Sequence, residues 1–428
     1  MKALIALMAA TLLQCSFIGM VMPVLPLFID KKLHYGTAVA GAVNSLQFIV
    51  MLFSRFCAGR ISDSNGPHYA MGFGAFSAAA AGIFYIFACF FTKLPSVSIV
   101  FLVAGCGLQG WAQSMLVTGA VAGGVDVTDQ EKKKDVATAK GQKRKGKKPK
   151  PAQGAGSAIG WIGLCVFGGL ILGAPAGTFL YQKVNFLVIG ALLGVFSAIL
   201  GIWCFKSSFL GRIFSQEEEL EEQDQIVEKK SLSSKEVLKI VWFPGLCFGF
   251  CAVAHGLVMT YGSLLFSEHH WAPLWFSFAF FGGGLMISRV TLGYLPDVWG
   301  GEKTAILSSV LEVIGFLLIG FFPCKTCVLL GIFLLGFGFS FAFPAFALLC
   351  LSEKHAKSKG ILIGVCNAVG DGIRGGGILF LGMLSTHFGF KGVFLAGGLV
   401  AVFGGVGAVM MHKRSRKQDV IKEETALL

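Results

Sequence analysis

Twelve apolar stretches, each about 20 residues or longer, run through this chain, at roughly 4–29, 35–57, 68–91, 96–122, 157–181, 186–205, 240–266, 272–292, 304–322, 326–351, 360–384 and 392–411. A helix of about 20 residues spans roughly 30 Å of hydrocarbon. The runs are continuous rather than alternating, which excludes a transmembrane barrel. Charged residues make up only 14% of the 428 positions, where a soluble chain carries about a quarter. Most of them sit in the segments between the apolar runs. The chain therefore reads as an all-α polytopic membrane protein with twelve transmembrane helices. Its N-terminus, Lys2 followed by an apolar run, has the outline of a secretory signal. That run nevertheless reaches past residue 25, contains Pro23 and Pro26 and shows no small-residue cleavage site, so it is expected to be retained as the first span.

Basic residues set the expected orientation. With the N-terminus inside, 29 of the 36 Lys and Arg residues fall on inner segments and six on outer ones, with Arg374 within a span. Both termini are therefore expected in the cytoplasm. The net charge of +13 is mostly this topology signal, and no nucleic-acid partner is needed to explain it. Most of the twelve cysteines lie in apolar spans, which argues against a disulfide framework. At the outer Cys324-Lys-Thr-Cys327, two unpaired helix-end cysteines are the expectation and a local disulfide or redox pair the alternative.

Six spans (1–205), a polar linker (206–239), six further spans (240–411) and a cytoplasmic tail (412–428) describe the chain most simply. The linker carries Glu217 to Glu219, Glu221, Glu222, Lys229 and Lys230 and reads as a flexible tether. A second long loop, 126–156, has the core Lys140-Gly-Gln-Lys-Arg-Lys-Gly-Lys-Lys-Pro-Lys-Pro151, which cannot bury apolar surface. A solvated positive-inside tether is the expected role, and docking on anionic headgroups the alternative.

One motif occurs in both halves. Ser54-Arg55-x-x-x-Gly59-x-x-x-Asp63-x-x-Gly66 returns as Ser288-Arg289-x-x-x-Gly293-x-x-x-Asp297-x-x-Gly300, at an offset of 234 residues. Recurrence of this kind marks a tandem of related halves, each with a glycine-rich, charged turn at a membrane surface.

Charged groups at mid-membrane depth are costly and hence functional candidates. They are Glu312 in span nine, Asp371 and Arg374 in span eleven, and His255 in span seven; the first six spans hold no mid-depth carboxylate. Glu312 is a group that a proton would neutralise, or else an acid hydrogen-bonded within the bundle. Asn367, Asp371 and Arg374 recur at i, i+4 and i+7, which places them on one helix face among five glycines. This stripe reads either as a structural ion pair or as a contact surface for a solute or ion. His255 is either hydrogen-bonded structure or a proton relay. The first half offers amides instead: Gln14, Asn44 with Gln47, and Gln109 with Gln113. Such amides bond between helices or together line a polar cavity. Trp111 and Tyr261 are candidate aromatic contacts for a solute, with core packing as the alternative. No metal-ligand spacing, catalytic triad or phosphate-cradling motif stands out, so neither a metal, a cofactor nor an enzymatic activity is expected.

With these residues in view, the chain resembles a permease of the major facilitator superfamily over nearly its whole length. The Gly59/Asp63/Gly66 turn resembles that family's signature after the second span, and Gly293/Asp297/Gly300 its relic after the eighth. The resemblance implies a conformational latch, with Asp63 and Arg55 at the interacting positions and Pro67 and His68 where the family has basic residues. Gly169-x-x-x-Gly173-Ala-Pro175-Ala-Gly177 in span five resembles the glycine-proline motif of the superfamily's exporters. Gln109-Gly110 matches a further motif, with Cys106 where relatives carry a proton-coupling Arg. Pro23-Val-Leu-Pro26, Ser45-Leu-Gln47-Phe, Glu312 with Ile314-Gly315, Phe343-Pro344-Ala345 and Asp371 resemble bacterial inner-membrane permeases of the arabinose-efflux-like and drug-efflux type. The implied protein is two pseudo-symmetric six-helix bundles with a solute site at mid-membrane. Proton-coupled efflux of a small polar or amphipathic metabolite or drug is the expected function. Import by symport, uniport and a non-transporting sensor are the alternatives. The expected partners are a small-molecule substrate, protons and the bilayer, with no oligomer required.

Overall fold

A computed structural model of the chain describes residues 2–141, 155–206, 234–350 and 359–427. Among the described residues the regular structure is entirely helical: α1 (Lys2–Val21), α2 (Val24–Leu27), a π-helical turn (Phe28–Lys32), α3 (Gly36–Asn65), α4 (Pro67–Phe90), α5 (Pro95–Gly141), α6 (Ala155–Lys183), α7 (Phe186–Lys206), α8 (Ser234–Glu268), α9 (Phe276–Leu292), α10 (Leu295–Trp299), α11 (Gly301–Phe321), α12 (Lys325–Cys350) and α13 (Lys359–Leu427). In hydrocarbon every backbone N–H and C=O must be satisfied within the protein, and a helix does this segment by segment. Among the described residues ten helical runs are long and apolar enough to cross a membrane, and α9 is a shorter apolar helix of 17 residues. The last run, Leu362–Arg414, is 53 residues long and is interrupted at Gly389 (φ 61°, ψ −171°), so it holds two of the expected spans. The helices are consistent with twelve crossings.

Several boundaries differ from expectation. Helix α5 continues through 126–141, assigned above to a loop, because half of those residues are Lys, Ala, Gln or Glu, which are good helix formers, and no Pro interrupts them. Helix α13 likewise continues to Leu427 through the expected tail. Span eight begins at Phe276 rather than 272, after a non-helical stretch containing Pro273, which has no N–H to donate. Pro23 and Pro26 each remove a backbone donor from the first span, and there the helix divides into α1, α2 and the π turn. Cys324 and Cys327 are disulfide-bonded rather than unpaired: their Cα atoms lie 5.3 Å apart, within the range such a bond requires. Most of the basic core 140–151 and of the linker 206–239 lies outside the described residues.

The repeated motif produces a repeated geometry. Gly66 (φ 96°, ψ 154°) starts α4 and Gly300 (φ 82°, ψ 163°) starts α11, a backbone region open to glycine and strained for other residues. The copies diverge just before that glycine. Helix α3 runs unbroken to Asn65, whereas in the second copy α9 stops at Leu292 and a short α10 follows. Pro296 stands where the first copy has Ser62, and its ring cannot continue a helix past the carbonyl four residues earlier.

The described residues group into two compact units. The first draws on Met1–Val21, Phe53–Gly173 and Lys183–Lys229, the second on Met22–Leu52, Ala174–Gln182 and Lys230–Leu428. In the first, α4 packs along α5 and α7, and α1 lies on α5 and α7. In the second, α8 and α13 form the most extensive pair, α11 packs on α12 and α13, and α9 packs on α12. Close backbone approach is built from small residues. Gly315 of α11 and Gly331 of α12 face each other so tightly that a Cβ on either would come within 2.7 Å of the other's carbonyl oxygen.

Candidate solute and coupling site

All four mid-depth titratable candidates belong to the second unit. Glu312 of α11 is fully buried, and neither carboxyl oxygen makes a geometric hydrogen bond among the described residues. Gly338 of α12 covers its Cγ, and a Cβ there would lie 3.1 Å from it. The polar group beside it is the Cys251 thiol of α8, which also meets the Ser309 hydroxyl at 3.4 Å. A bare charge in such a place costs several kcal/mol, and a proton is the simplest way to remove it.

Asp371 and Arg374 of α13 form an ion pair at 3.5 Å, with both side chains only 6% exposed. The guanidinium carbon lies 5.2 Å from the ring centre of Phe48 on α3 and 6.0 Å from that of Phe339 on α12, within cation–π reach. His255 of α8 stacks on Phe339 at 5.3 Å and lies 5.8 Å from Phe281 of α9. The spacing of span eleven thus brings Asp371 and Arg374 together, and His255 joins them through the shared Phe339. Asn367, one turn earlier on the same face, is half-buried.

The second unit also contains Asn44, Gln47 and Tyr261, all buried. Asn44 donates from Nδ2 to the Thr260 hydroxyl at 2.6 Å, joining α3 to α8. In the first unit the amides bridge helices. Gln14 of α1 donates to Ser197 of α7 at 2.7 Å. Gln109 of α5 accepts from the Tyr85 hydroxyl of α4 at 2.7 Å and donates to the Ile18 carbonyl of α1 at 3.3 Å. Gln113 is buried and Trp111 half-buried. Cys106 is buried in α5, three residues before Gln109.

At the turn motif, Asp63 is exposed at the end of α3, while Arg55 and Arg289 are half-buried. Gly59 has open space beside it, and Gly293 closes the end of α9; the Asp297 side chain lies outside the described residues. In span five the glycines allow α6 to lie on α1. A Cβ at Gly169 would strike the Leu12 carbonyl and one at Gly173 the Ser16 carbonyl, while Pro175 and Gly177 follow within the same helix.

Sequence reasoning missed Phe48, Phe339, Cys251, Ser309, Thr260 and Ser197. Each acquires its role from a partner on another helix, which spacing within one span cannot show. Among the described residues no group of three or more His, Cys, Asp or Glu side chains could hold a metal ion. The groups at hand are a buried carboxyl at Glu312, the Asp371–Arg374 charge pair and hydrogen-bonding amides.

The sequence profile of the Major Facilitator Superfamily matches residues 7–378. The chain belongs to this superfamily. It is 27% identical over 403 residues to an uncharacterised MFS-type transporter of Burkholderia pseudomallei (strain 1106a), covering 94% of this chain and 89% of that one. An uncharacterised MFS-type transporter of Salmonella typhimurium (strain LT2) is 25% identical over 404 residues, covering 94% of each. Among solved structures, the nucleoside transporter NupG superposes with a TM-score of 0.66 at 14% identity, covering 96% of this chain and all of NupG. The human organic anion transporter MFSD10 (TETRAN) superposes with a TM-score of 0.63 at 13% identity, covering 95% and 99%. At those identities the structural likeness speaks for the fold. This MFS protein is thus a multi-pass membrane transporter that acts on a small molecule.

Proposed function

We propose that this transporter exports a small polar or amphipathic metabolite or drug in exchange for protons, by alternating access to a site that includes the Asp371–Arg374 pair. The observation that carries proton coupling is Glu312, a fully buried carboxyl in the same unit as that pair. It serves as the proton carrier, and Asp371 with Arg374 forms the charged wall that answers to its state, with His255 packed beside Arg374 across the Phe339 ring. The glycine-proline pattern in span five supports export. The basic-residue bias supports an inner-membrane orientation with both termini in the cytoplasm and the start of α13 on the inner side. On this reading the chain works as two six-helix halves, 1–205 and 240–411, and Asp63 with Arg55 latches its inner surface.

Comparative metabolite profiling of cells and medium, with the gene deleted and overexpressed, tests direction and substrate together. Export predicts a compound that accumulates inside the deletion strain and outside the overexpressing one. Loss of a compound from the medium only when the protein is present would replace export with import.

A further inference from the structure

Tyr261 is fully buried, and its hydroxyl points at two glycines, Gly41 on α3 and Gly382 on α13. A Cβ at either position would collide with the hydroxyl oxygen before any other atom, and the two glycine backbones themselves nearly touch, with 3.8 Å between the Gly382 Cβ position and the Gly41 Cα. The hydroxyl also donates to the Ile378 carbonyl at 3.4 Å. Around this contact the same three helices are tied by hydroxyls and an amide. Thr37 of α3 meets Ser385 of α13 at 2.6 Å, and Asn44 of α3 meets Thr260 of α8 at 2.6 Å. Ser263 of α8 also donates to the Pro23 carbonyl at 3.0 Å.

These contacts bear on the charged stripe because of their position along α13. Gly382 and Ser385 follow Arg374 toward the end of span eleven, so they cover one end of the stripe. Toward its other end Asn367 is half-buried, and a Cβ at Gly364 would have nothing within 4 Å among the described residues. Among the described residues the stripe is covered at one end and less enclosed at the other. The covered end holds neutral hydroxyl and amide bonds of modest individual strength and a ring that fits only where two side chains are absent. Such a contact forms and breaks without stranding a buried charge.

We propose that Tyr261 is a positioning residue that closes the outer end of the solute pathway, its hydroxyl seated in the notch left by Gly41 and Gly382. This rests on the transport reading and the orientation given above. It removes Tyr261 from the solute-contacting wall on which its place in span seven had put it. When the outer end opens, α3 withdraws from α8 and α13 and the hydroxyl leaves the notch. A methyl group in the notch therefore holds the outer end open.

The test uses the full-length protein in proteoliposomes with Thr37→Cys and Ser385→Cys as a cross-linking pair. Single Thr37→Cys and Gly364→Cys variants report on the outer and inner ends through membrane-impermeant maleimide applied to either face. With Gly41 and Gly382 intact, the pair cross-links readily. Gly41→Ala and Gly382→Ala are each expected to slow cross-linking about tenfold, to raise labelling at Thr37→Cys and to lower labelling at Gly364→Cys. Adding Tyr261→Phe to Gly382→Ala removes the colliding oxygen and is expected to restore cross-linking. Parent-like cross-linking in both alanine variants would overturn the proposal, and so would labelling that rises at both ends together or a failure of the Tyr261→Phe rescue. None of these readouts needs a transported solute. A protein that shows them and moves nothing would refute the transport reading and leave the closure standing.

Discussion

The buried pair on α13 offers a test in which energetics and function separate. Asp371 and Arg374 approach to 3.5 Å with both side chains 6% exposed. At that distance, and at an effective dielectric constant of about 20, their attraction is roughly 5 kcal/mol, against a desolvation cost of several kcal/mol for each ion. The intact pair is therefore close to neutral in net terms. Asp371→Asn alone leaves a guanidinium between Phe48 and Phe339 without its counter-charge, which is expected to cost about 3–5 kcal/mol. Arg374→Met alone strands the carboxylate at a similar cost. The double variant Asp371→Leu/Arg374→Met keeps the packing against both rings and loses both charges, so its stability should return to within about 1–2 kcal/mol of the parent. Thermal unfolding of purified protein, followed by loss of monodispersity, measures the three stabilities. Proteoliposome transport is then compared only between the parent and the stable double variant. If the pair contacts solute or responds to protonation, the double variant folds and transports at background. Parent-like transport by it would reduce the pair to a structural one, and a parent-like midpoint in Asp371→Asn would refute the energetic reasoning itself.

Three further outcomes are expected. Glu312→Gln should abolish gradient-driven accumulation while leaving solute exchange or binding; with one proton per solute, a one-unit pH gradient supports about tenfold accumulation in the parent, and the same accumulation in the variant would remove Glu312 from coupling. Gly173→Ala forces a methyl group into the Ser16 backbone of α1 and should cost about 1–3 kcal/mol, read as a lowered unfolding midpoint. Deletion of 140–151 should leave transport rates unchanged, and a large loss on removing this basic stretch would assign it a lipid- or partner-binding role.

Much of the fold was legible because the bilayer leaves a chain so few choices. Runs of 20 apolar residues must satisfy their backbone internally, so composition alone locates the helices. The turn motif was equally legible: Gly66 and Gly300 share a backbone conformation because the same residue stands at the same point in each half. Helix ends were harder, since residues 126–141 are polar enough for a loop and helical enough to extend α5. The site divided along similar lines. Asp371 and Arg374 meet because one helical turn brings them together, and that is readable from spacing. The Cys324–Cys327 bond, the Phe339 ring shared by His255 and Arg374, and the seat of Tyr261 depend on how elements meet, and local pattern is silent on that.

The division of polar groups between the two units gives the functional reading its direction. In the first unit, Gln14 and Gln109 are engaged in bonds that bridge helices and carry no charge, so protonation leaves them unchanged. In the second unit, Glu312, Asp371, Arg374 and His255 lie on α8, α11 and α13, helices that pack directly on one another. A proton arriving at Glu312 alters a charge in surroundings of low dielectric, where each unit charge is felt strongly by its neighbours. The groups beside it are the Cys251 thiol of α8 and Gly338 of α12, and α11 in turn packs on α13, which carries the Asp371–Arg374 pair together with Gly382 and Ser385. On the proposed reading, a change at Glu312 therefore reaches the pair through the packing of α11 on α13, and the pair shares its helix with two residues of the proposed closure.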